Sequence, residues 1–402
     1  MSSSAAALGQ VRDQVGHALT GFLGRQRAIL AGIDEDLLPG LAAVSDLLAG
    51  GKRLRPAFCY WGWRAADGAC NSGQPGSPAV SAGSPGVQFS PGSAGARVLA
   101  AAAALELLHA SALVHDDVMD RSDTRRGQPA VHRRFAGQHV ASGWRGSADS
   151  FGTGAAILIG DLLLAWTGEM FRASGLPDAA LRRGQTVLDA MCTEVFAGQY
   201  LDLLGQAADT GTVESALRVV RYKSAKYTVE RPLLLGTALA AGPAADGTAA
   251  SGTGGTAASG TTARTHDQMA AACAAYGIPV GVAFQLRDDV LGVFGDPAET
   301  GKPVSGDLRE GKRTVLAAIA RNRASVTQAA VLRRHLGDPR LDDAAAAEVR
   351  DVLTETGALA ECEQMIRGSV REAIAALADA PFTGEAKAAL AELAVTATDR
   401  AD

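Results

Sequence analysis

The sequence has 402 residues, a formal net charge of −5 and 47% hydrophobic residues. This length and apolar content allow one large domain or two ordinary ones, each with a buried core. The acidic balance disfavours a nucleic-acid-binding protein, since such proteins present a basic surface. An anionic ligand therefore has to be bound by local basic residues rather than by the overall charge.

The cysteines and the N-terminal segment indicate the compartment. The five cysteines are scattered and form no C-x-x-C pair, which disfavours a disulfide framework and a zinc site. The first residues lack a basic region followed by an apolar core, so we expect no signal peptide. The most apolar segments are interrupted by Glu106, His109 and Asp161, and we expect none of them to span a membrane. The sequence thus predicts a cytoplasmic protein.

Most of the chain has the residue spacing of helices, and no segment shows the alternation of a strand. Four long helices are predicted, at residues 96–116, 152–174, 181–204 and 267–296. Pro279 is expected to bend or divide the last of them. From Asp342 to Thr398, apolar residues three to four positions apart predict two or three amphipathic helices. The sequence therefore predicts an all-α protein.

Two segments interrupt this helical pattern, at about residues 71–95 and 241–265. Both are rich in Gly, Ser, Thr, Ala and Pro and have little to bury, so we expect mobile inserts. A lid or a partner-binding loop is the less favoured interpretation. Charged motifs lie on both sides of each insert, which predicts a single domain over residues 1–402.

A long apolar helix leads into the motif D-D-x-x-D, formed by Asp116, Asp117 and Asp120. Residues three and four positions apart share a helix face, so these carboxylates repel one another unless cations lie between them. Oxygen ligands at a helix end suit Mg²⁺, which takes the rest of its shell from water and phosphate. A solvated acidic helix end is the plainer interpretation of this motif alone.

Basic segments accompany this motif and a second acidic pair, Asp288 and Asp289. Arg125 and Arg126 directly follow the first motif, and guanidinium groups bind phosphate well. The other basic residues near the two motifs are Lys52, Arg53, Arg55, Lys302, Lys312 and Arg313. Two acidic helix ends with basic partners predict a site for two diphosphates.

The chain resembles the trans-isoprenyl diphosphate synthases, the polyprenyl synthetase family, and most of all the bacterial geranylgeranyl diphosphate synthases. The matching segments are G-G-K-R-L-R-P at 50–56, H-D-D-V-M-D-R-S-D-T-R-R-G-Q-P-A-V-H at 115–132, F-Q-L-R-D-D at 284–289, G-D-P-x-x-T-G-K at 295–302 and D-L-R-E-G-K-R-T at 307–314. The resemblance implies an antiparallel helix bundle around a deep cavity, commonly as a homodimer. It also implies 1′-4 condensation of isopentenyl diphosphate with an allylic diphosphate, assisted by two or three Mg²⁺ ions.

The resemblance also implies roles for individual residues. Metal-binding roles fall on Asp116, Asp120 and Asp288, with Asp117 and Asp289 completing or supporting the metal shells. The residues assigned to the allylic substrate are Arg125, Lys223, Lys302 and Gln285, with Ser224 replacing the family's threonine. Residues assigned to the second diphosphate are Lys52, Arg55, His109 and Arg126, with Arg53 and Lys312 as further substrate-binding residues and Gln199 and Asp202 lining the site. His109 is otherwise an ordinary core histidine.

The second motif departs from much of the family, because position 292 is Gly rather than a third Asp. Asp296 lies one turn further along and is not counted as a ligand. This leaves the second cluster with two carboxylates. We still expect activity, since the first aspartate of each motif supplies most of the coordination.

Product length is expected to depend on the helix before the first motif. Ser111 and Ala112 are small where family members that stop at farnesyl commonly have an aromatic residue, and Leu108 and Leu105 lie further up as a possible floor. One helical turn rises about 5.4 Å, close to the length of an isoprene unit. The sequence therefore favours a C20 product over C15, with longer chains left open.

Three other functions are less consistent with the sequence. A terpene cyclase would have an N-S-E type second motif, whereas this chain has R-D-D-V-L-G at 287–292. A non-catalytic subunit of a heteromeric synthase would be indicated by loss of the first aspartate motif, which is intact. An acidic all-α scaffold leaves the ordered basic segments unexplained.

Overall fold

The computed structural model describes residues 3–71, 92–208, 211–240, 256–295 and 306–398, without the side chains of residues 3–7, 67–71 and 256–266. Lys302, Asp296 and most of both predicted inserts lie outside this description, so the predictions about them stay predictions. Residues 256–265 are helical, however, and the second insert is therefore shorter than expected. Within these ranges the chain is almost entirely helical, which confirms the predicted all-α class.

The helices in chain order are α1 Ser3–Ile33, α2 Leu38–Leu48, α3 Leu54–Asn71, α4 Ala94–Met119, α5 Val131–Ala141, α6 Ala148–Arg172, α7 Asp178–Ala207, α8 Val213–Val219, a π-helix Val220–Glu230, α9 Arg231–Ala240, α10 Thr256–Phe294, α11 Gly306–Glu310, α12 Val315–Arg323, α13 Val326–His335, α14 Asp343–Glu355, α15 Ala358–Asp379 and α16 Gly384–Thr398. A 3₁₀ turn, Glu35–Leu37, precedes α2. Two short strands, β1 Thr124–Arg125 and β2 Gln128–Pro129, form a hairpin between α4 and α5. This hairpin was not predicted from the sequence.

Hydroxyl side chains begin several of the helices. Ser93 accepts a hydrogen bond from the backbone N–H of Ala96 at the start of α4. Ser147 caps α6 in the same way, and Thr212 forms a capping box at the start of α8. These side chains satisfy N–H groups that have no partner within the first turn. Local sequence therefore fixes where the site-bearing helices start.

Two apolar clusters share the helices α10 and α15. The first cluster joins α1–α4, α6, α7 and α9 with Val280 of α10 and Leu377 of α15. The second joins α8 and α11–α14 with Leu286 of α10 and Ile366 of α15. The cavity described below lies between helices of both clusters. Packing in both clusters therefore positions the residues that line it.

Pro279 does not divide α10, which rules out one of the two predicted outcomes, bending or division. The helix runs through it from Thr256 to Phe294. A proline removes one N–H from the helix, but α10 packs along its length against the π-helix and α15. Tertiary packing therefore outweighs the local preference. In the tail, the three helices α14, α15 and α16 confirm the prediction of two or three.

Three helices are long and apolar enough to cross a membrane by length and composition alone: residues 94–119, 148–172 and 267–294. The sequence prediction rests on a different property, the polar residues Glu106, His109 and Asp161 that interrupt two of these segments. In the structure, these helices are packed against other helices of the fold. Their apolar side chains supply much of the first cluster.

The π-helix is wider than an α-helix, and its neighbours accommodate it with glycines. A β-carbon at Gly198 of α7 would lie 2.5 Å from the backbone N of Lys223. A β-carbon at Gly281 of α10 would lie 2.4 Å from Cα of Ala225, and Gly277 makes a similar approach one turn earlier. Since π-helical turns often occur at functional sites, this packing positions a candidate segment.

Candidate functional site

A cavity of about 720 Å³ lies between α4, α7, the π-helix and α10. Most of the residues assigned to the site from the sequence line it: Lys52, Arg53, Arg55, His109, Ala112, Asp116, Arg125, Arg126, Gln199, Asp202, Lys223, Ser224, Gln285, Asp288, Asp289 and Lys312. Residues far apart in sequence therefore meet around one volume. Carboxylates and basic groups share its walls, as a site for anions and cations requires.

Asp116 is ion-paired across the cavity with the π-helix. Lys223 Nζ donates to Oδ1 of Asp116 over 3.2 Å and to Oδ2 of Asp202 over 2.7 Å. Burial opposes ionisation of Asp116, but the charges of Lys223, Lys312 and Arg125 outweigh it, and the pKa is lowered. Asp116 is therefore an ionised carboxylate at neutral pH.

Asp117 holds Arg125, whose Nη2 also lies 4.0 Å from Oδ2 of Asp116. The Asp117 side chain is buried, and Arg125 Nε donates to its Oδ1 over 2.9 Å. Burial raises the pKa of Asp117 although the charge of Arg125 opposes this shift. The contact fixes the guanidinium of Arg125 at the rim of the cavity. Asp117 thus acts here as a support for a basic residue.

Asp120 has a buried oxygen without a hydrogen bond, and this feature fits a bound cation. Among the described residues, its Oδ2 has no hydrogen-bond partner, and Lys312 Nζ lies 3.6 Å away. Burial and the neighbouring charge of Asp116 raise the pKa of Asp120 to about 6. An oxygen-only donor set suits Mg²⁺. No three His, Cys, Asp or Glu side chains of the described part of the chain are grouped closely enough to hold a metal alone.

The second acidic pair is connected to the π-helix by hydrogen bonds. Ser224 Oγ donates to Oε1 of Gln285 over 2.6 Å, and Gln285 Nε2 donates to Oδ1 of Asp289 over 2.8 Å. Burial, with the charges of Asp307 and Asp288, raises the pKa of Asp289 to about 7. Gln285 is therefore oriented from both ends. Its amide lies beside the carboxylates on the cavity wall.

Lys312 lies between the two acidic clusters. Its Nζ is 2.8 Å from Oε2 of Glu310, 3.5 Å from Oδ1 of Asp307 and 3.6 Å from Oδ2 of Asp120. Burial opposes the charge of Lys312, but these carboxylates, Asp307 first, raise its pKa well above the usual value. The sequence assigned Lys312 to substrate. In the structure it lines the cavity as a counter-ion of carboxylates from both sides.

Several other cavity-lining residues form a basic group around His109. Arg55 Nη2 donates to Oγ1 of Thr228 over 3.1 Å, and its guanidinium lies 4.4 Å from the centre of the Tyr227 ring. The buried Nε of Arg55 has no hydrogen-bond partner among the described residues. Burial, then the charges of Arg55 and Arg126, lowers the pKa of His109 well below its usual value. A neutral His109 beside arginines suits an anionic ligand.

Arg53 lines the cavity, but its guanidinium is bound by other protein groups. Arg53 is 7% exposed, and its Nη1 lies 2.5 Å from Oε2 of the buried Glu106. A second guanidinium nitrogen, Nη2, donates a hydrogen bond to the backbone carbonyl of Leu48. The charge of Arg53 is therefore balanced within the fold, which distinguishes Arg53 from Arg55.

The β-hairpin directs two arginines to different parts of the cavity. Its two turn residues, Arg126 and Gly127, have φ of 54° and 72°, the type I′ geometry in which asparagine and glycine are preferred. Arg125 on the strand faces Asp117. Arg126 Nη1 donates to the carbonyl of Leu47 over 2.8 Å. The left-handed conformation of Arg126 is a strained arrangement of the kind found at functional sites.

The prediction that Ser111 forms the cavity wall is wrong. Its side chain is fully buried, and Oγ donates to the carbonyl of Gly160 on α6 over 2.8 Å. Leu108 is also fully buried, and neither residue lines the cavity, whereas Ala112 does. A β-carbon at Gly160 would lie 2.1 Å from Nε2 of His115, so α4 and α6 are in close contact at this level.

Several lining residues were not identified from the sequence. The apolar wall near Ala112 comes from Leu113, Met119, Val195 and Phe196. Asp307 also lines the cavity, although the sequence suggested only that it belongs to a charged segment. The match of that segment to a family motif could have identified Asp307 as a residue of the site. The α7 residues had no such signal, because their role depends on how α7 packs against α4.

The family model described as polyprenyl synthetase matches residues 41–354. The geranylfarnesyl diphosphate synthase of Aeropyrum pernix is 30% identical over 347 residues, 85% of this chain and 87% of that protein. The geranylgeranyl diphosphate synthase of Mycobacterium tuberculosis is 34% identical over 233 residues, 57% of this chain and 55% of that protein. A crystal structure of geranylgeranyl pyrophosphate synthase from Corynebacterium glutamicum, complexed with isoprenyl diphosphate and magnesium, is 37% identical, with a TM-score of 0.81 and 98% of both chains covered.

Family model, relatives and solved structure agree with the motifs and with the cavity that the motifs surround. The match covers most of the chain and includes the aspartate pairs on α4 and α10. The chain therefore belongs to the polyprenyl synthetase family and is a prenyltransferase with an all-α fold.

Proposed function

We propose that this chain condenses isopentenyl diphosphate with an allylic diphosphate in a 1′-4, trans reaction, with geranylgeranyl diphosphate as the main product. One observation carries the proposal: carboxylates of both motifs and several basic residues line a single cavity. Two diphosphates with metal ions between them match this distribution of charge.

Mg²⁺ is the proposed cofactor, with two or three ions per site. Asp116, Asp120 and Asp288 would hold the ions, and the buried Oδ2 of Asp120, which has no hydrogen-bond partner among the described residues, supports this fit. The crystallised Corynebacterium glutamicum relative contains magnesium together with isoprenyl diphosphate. The chemistry supplied by Mg²⁺ there is neutralisation of the charge that grows on a departing diphosphate.

The chain's own groups hold the allylic substrate for ionisation. Lys223 and Arg125 are proposed to bind its diphosphate from two sides, each already oriented by a carboxylate. Lys302, which lies outside the described residues, is proposed for the same diphosphate. Gln285, held by Ser224, presents its amide to the allylic carbon. The apolar wall then limits the access of water to the reactive cation.

The second diphosphate is proposed to bind at the basic residues around Arg55 and His109. Arg55 offers a buried Nε that lacks a partner among the described residues. Arg126 and Lys52 line the same part of the cavity. His109, neutral in these surroundings, can donate a hydrogen bond without adding charge. Together these residues position isopentenyl diphosphate with its double bond towards the allylic carbon.

The proposed product length rests on Ala112. It lines the cavity where a larger side chain would shorten the space for the product. Relatives named as geranylgeranyl and geranylfarnesyl diphosphate synthases are both similar to this chain. C20 is the proposed main product, and C25 or C15 products are the outcomes that would correct the assignment.

We also propose a cytoplasmic homodimer in which each subunit is one domain. Exposed apolar residues on α6 and α7 support the dimer. They are Phe151, Ile157, Leu158, Phe196, Tyr200 and Leu204. Apolar faces of this kind are covered in stable assemblies. A second copy of the chain, joined about a two-fold axis, would cover the same face on both subunits.

The test is a product assay with Mg²⁺, isopentenyl diphosphate and dimethylallyl, geranyl or farnesyl diphosphate in turn. Linear C20 diphosphate is expected, and the Asp116→Asn variant is the inactive control. Cyclic hydrocarbons would indicate a terpene cyclase instead. An absence of turnover by the wild-type homodimer would contradict the proposed activity.

A further inference from the structure

Position 292 on α10 lacks the side chain that would complete the second aspartate motif, and another carboxylate fills its place. A β-carbon at Gly292 would lie 1.9 Å from Oδ2 of Asp307 and 2.7 Å from its Cγ. Such distances do not occur between non-bonded atoms. A side chain at 292 and the present position of Asp307 therefore exclude each other.

Asp307 reaches this position from a separate helix. It lies on α11, which packs against α10, and its side chain is buried but lines the cavity. Asp288 and Asp289 line the same cavity, and the charge of Asp307 acts on Asp289. Three carboxylates thus line the same cavity although the motif on α10 supplies only two.

We propose that Asp307 is the third carboxylate of the second cluster and positions metal with Asp288 and Asp289. This inference rests on the proposed function. Because position 292 has no side chain, the carboxylate of Asp307 on α11 fits beside it. Asp307 thereby supplies the negative charge that a third aspartate of the motif would have carried. The cluster thereby has the same formal charge as a D-D-x-x-D motif. Its third member is held by α11 and is connected to the first motif through Lys312.

A plainer role for Asp307 is that of a counter-ion for Lys312, whose Nζ is 3.5 Å away. Glu310 provides a matched comparison, because it is closer to Lys312, at 2.8 Å, and does not line the cavity. If Asp307 only neutralises Lys312, the variants Asp307→Asn and Glu310→Gln should have similar effects. If Asp307 acts on the metal, their effects should differ.

The experiment is a titration with Mn²⁺ in the presence of inorganic diphosphate, followed by electron paramagnetic resonance of the free ion. Asp307→Asn should weaken Mn²⁺ binding by about 10-fold or more, the effect of removing a group that supports a metal shell. Glu310→Gln should change the affinity much less. Thermal unfolding of each variant reports any loss of folding separately.

A reciprocal pair of substitutions gives the second test. Gly292→Asp alone should destabilise the protein, because its side chain meets Asp307. Combined with Asp307→Gly, it should restore Mn²⁺ affinity towards that of the wild type. Equal effects of Asp307→Asn and Glu310→Gln, or no rescue by the double variant, would overturn the inference. If the wild type binds Mn²⁺ but forms no prenyl product, the proposed function falls, and the titration still decides the role of Asp307.

Discussion

The Nζ of Lys223 lies 3.2 Å from Oδ1 of Asp116, which joins the π-helix to the first aspartate motif across 107 positions of sequence. This contact connects a proposed metal ligand to a proposed diphosphate-binding residue before either ligand is bound. The backbone around Lys223 is held by its close approach to Gly198. The geometry of the site therefore depends on a glycine outside it.

Gly198→Ala should disturb the site without removing any charged group. The added β-carbon must displace the backbone at Lys223, and overpacking of this kind costs about 1–3 kcal/mol of unfolding free energy. We expect lower stability in urea and a lower kcat. Gly137→Ala is the control, because no atom lies within 4 Å of a β-carbon there. A Gly198→Ala enzyme with unchanged kcat would show that the π-helix can shift freely.

Ala112→Phe should shorten the product, because Ala112 lines the cavity. Ser111→Phe should instead destabilise the protein, because Ser111 is fully buried against Gly160. The product distribution from mass spectrometry and the melting temperature distinguish the two outcomes. A stable Ser111→Phe variant that makes shorter products would show that Ser111 does form part of the cavity wall.

Arg126→Asn should separate substrate binding from stability. Loss of the guanidinium removes charge-assisted hydrogen bonds worth about 1.5–3 kcal/mol each, so KM for isopentenyl diphosphate should rise at least about tenfold. Asparagine suits the left-handed turn conformation better than arginine. We therefore expect the unfolding free energy to change by less than about 1 kcal/mol, since relief of strain offsets the lost bond to Leu47. A rise in the KM of the allylic substrate alone would contradict this assignment.

Glu194 should make stability depend on pH. It accepts hydrogen bonds from Arg231 over 2.6 Å and 2.8 Å and also from Lys226. Burial opposes ionisation of Glu194, but these bonds outweigh it and lower its pKa below the ordinary 4.5. The stabilisation is therefore present above the ordinary pKa and is lost as pH falls through the lowered value.

The comparison variant for this effect is Glu194→Gln, which resembles the protonated form at every pH. The wild type should be more stable than Glu194→Gln at neutral pH, and the difference should shrink below pH 4.5. Urea denaturation across this range measures both curves. A difference that is constant with pH would exclude the carboxylate charge as its cause.

Leu158→Glu should dissociate the proposed homodimer. Leu158 is the most exposed of the apolar residues that support the dimer, at 70%, and an unpaired charge buried there in a dimer is costly. Light scattering after gel filtration should give the mass of one chain. Val326→Glu, at a position 87% exposed on α13, should leave the mass unchanged. A monomeric wild type would contradict the proposal.

The all-α class and the residues around the cavity were predictable, because composition, helix spacing and ordered charged motifs are local properties of the sequence. The orientation of α4 was not. Residues 101–108 of this helix are buried on every side, so apolar spacing gives no indication of which face meets the cavity. The choice between Ser111 and Ala112 depends on contact with Gly160, which only the packed structure provides.

Two other features escaped the sequence for related reasons. The hairpin turn has arginine at a position where asparagine is usual, so the turn signal at 126–127 was weak. Pro279 was expected to bend or divide α10, but the helix is continuous and packs against the π-helix and α15. In both cases tertiary structure overrides a local preference. Asp307 was missed as a partner of Gly292 because their proximity depends on how α11 meets α10.

The glycines around the π-helix constrain how this sequence can change over time. Gly198, Gly277 and Gly281 each leave room for a different part of the same segment. A larger residue at any one of them is harmful while the π-helix is present. Loss of the π-helix would in turn shift Lys223 relative to α4. Each of these two changes is harmful if it occurs before the other. Descendants of this protein are therefore expected to retain both the glycines and the π-helix.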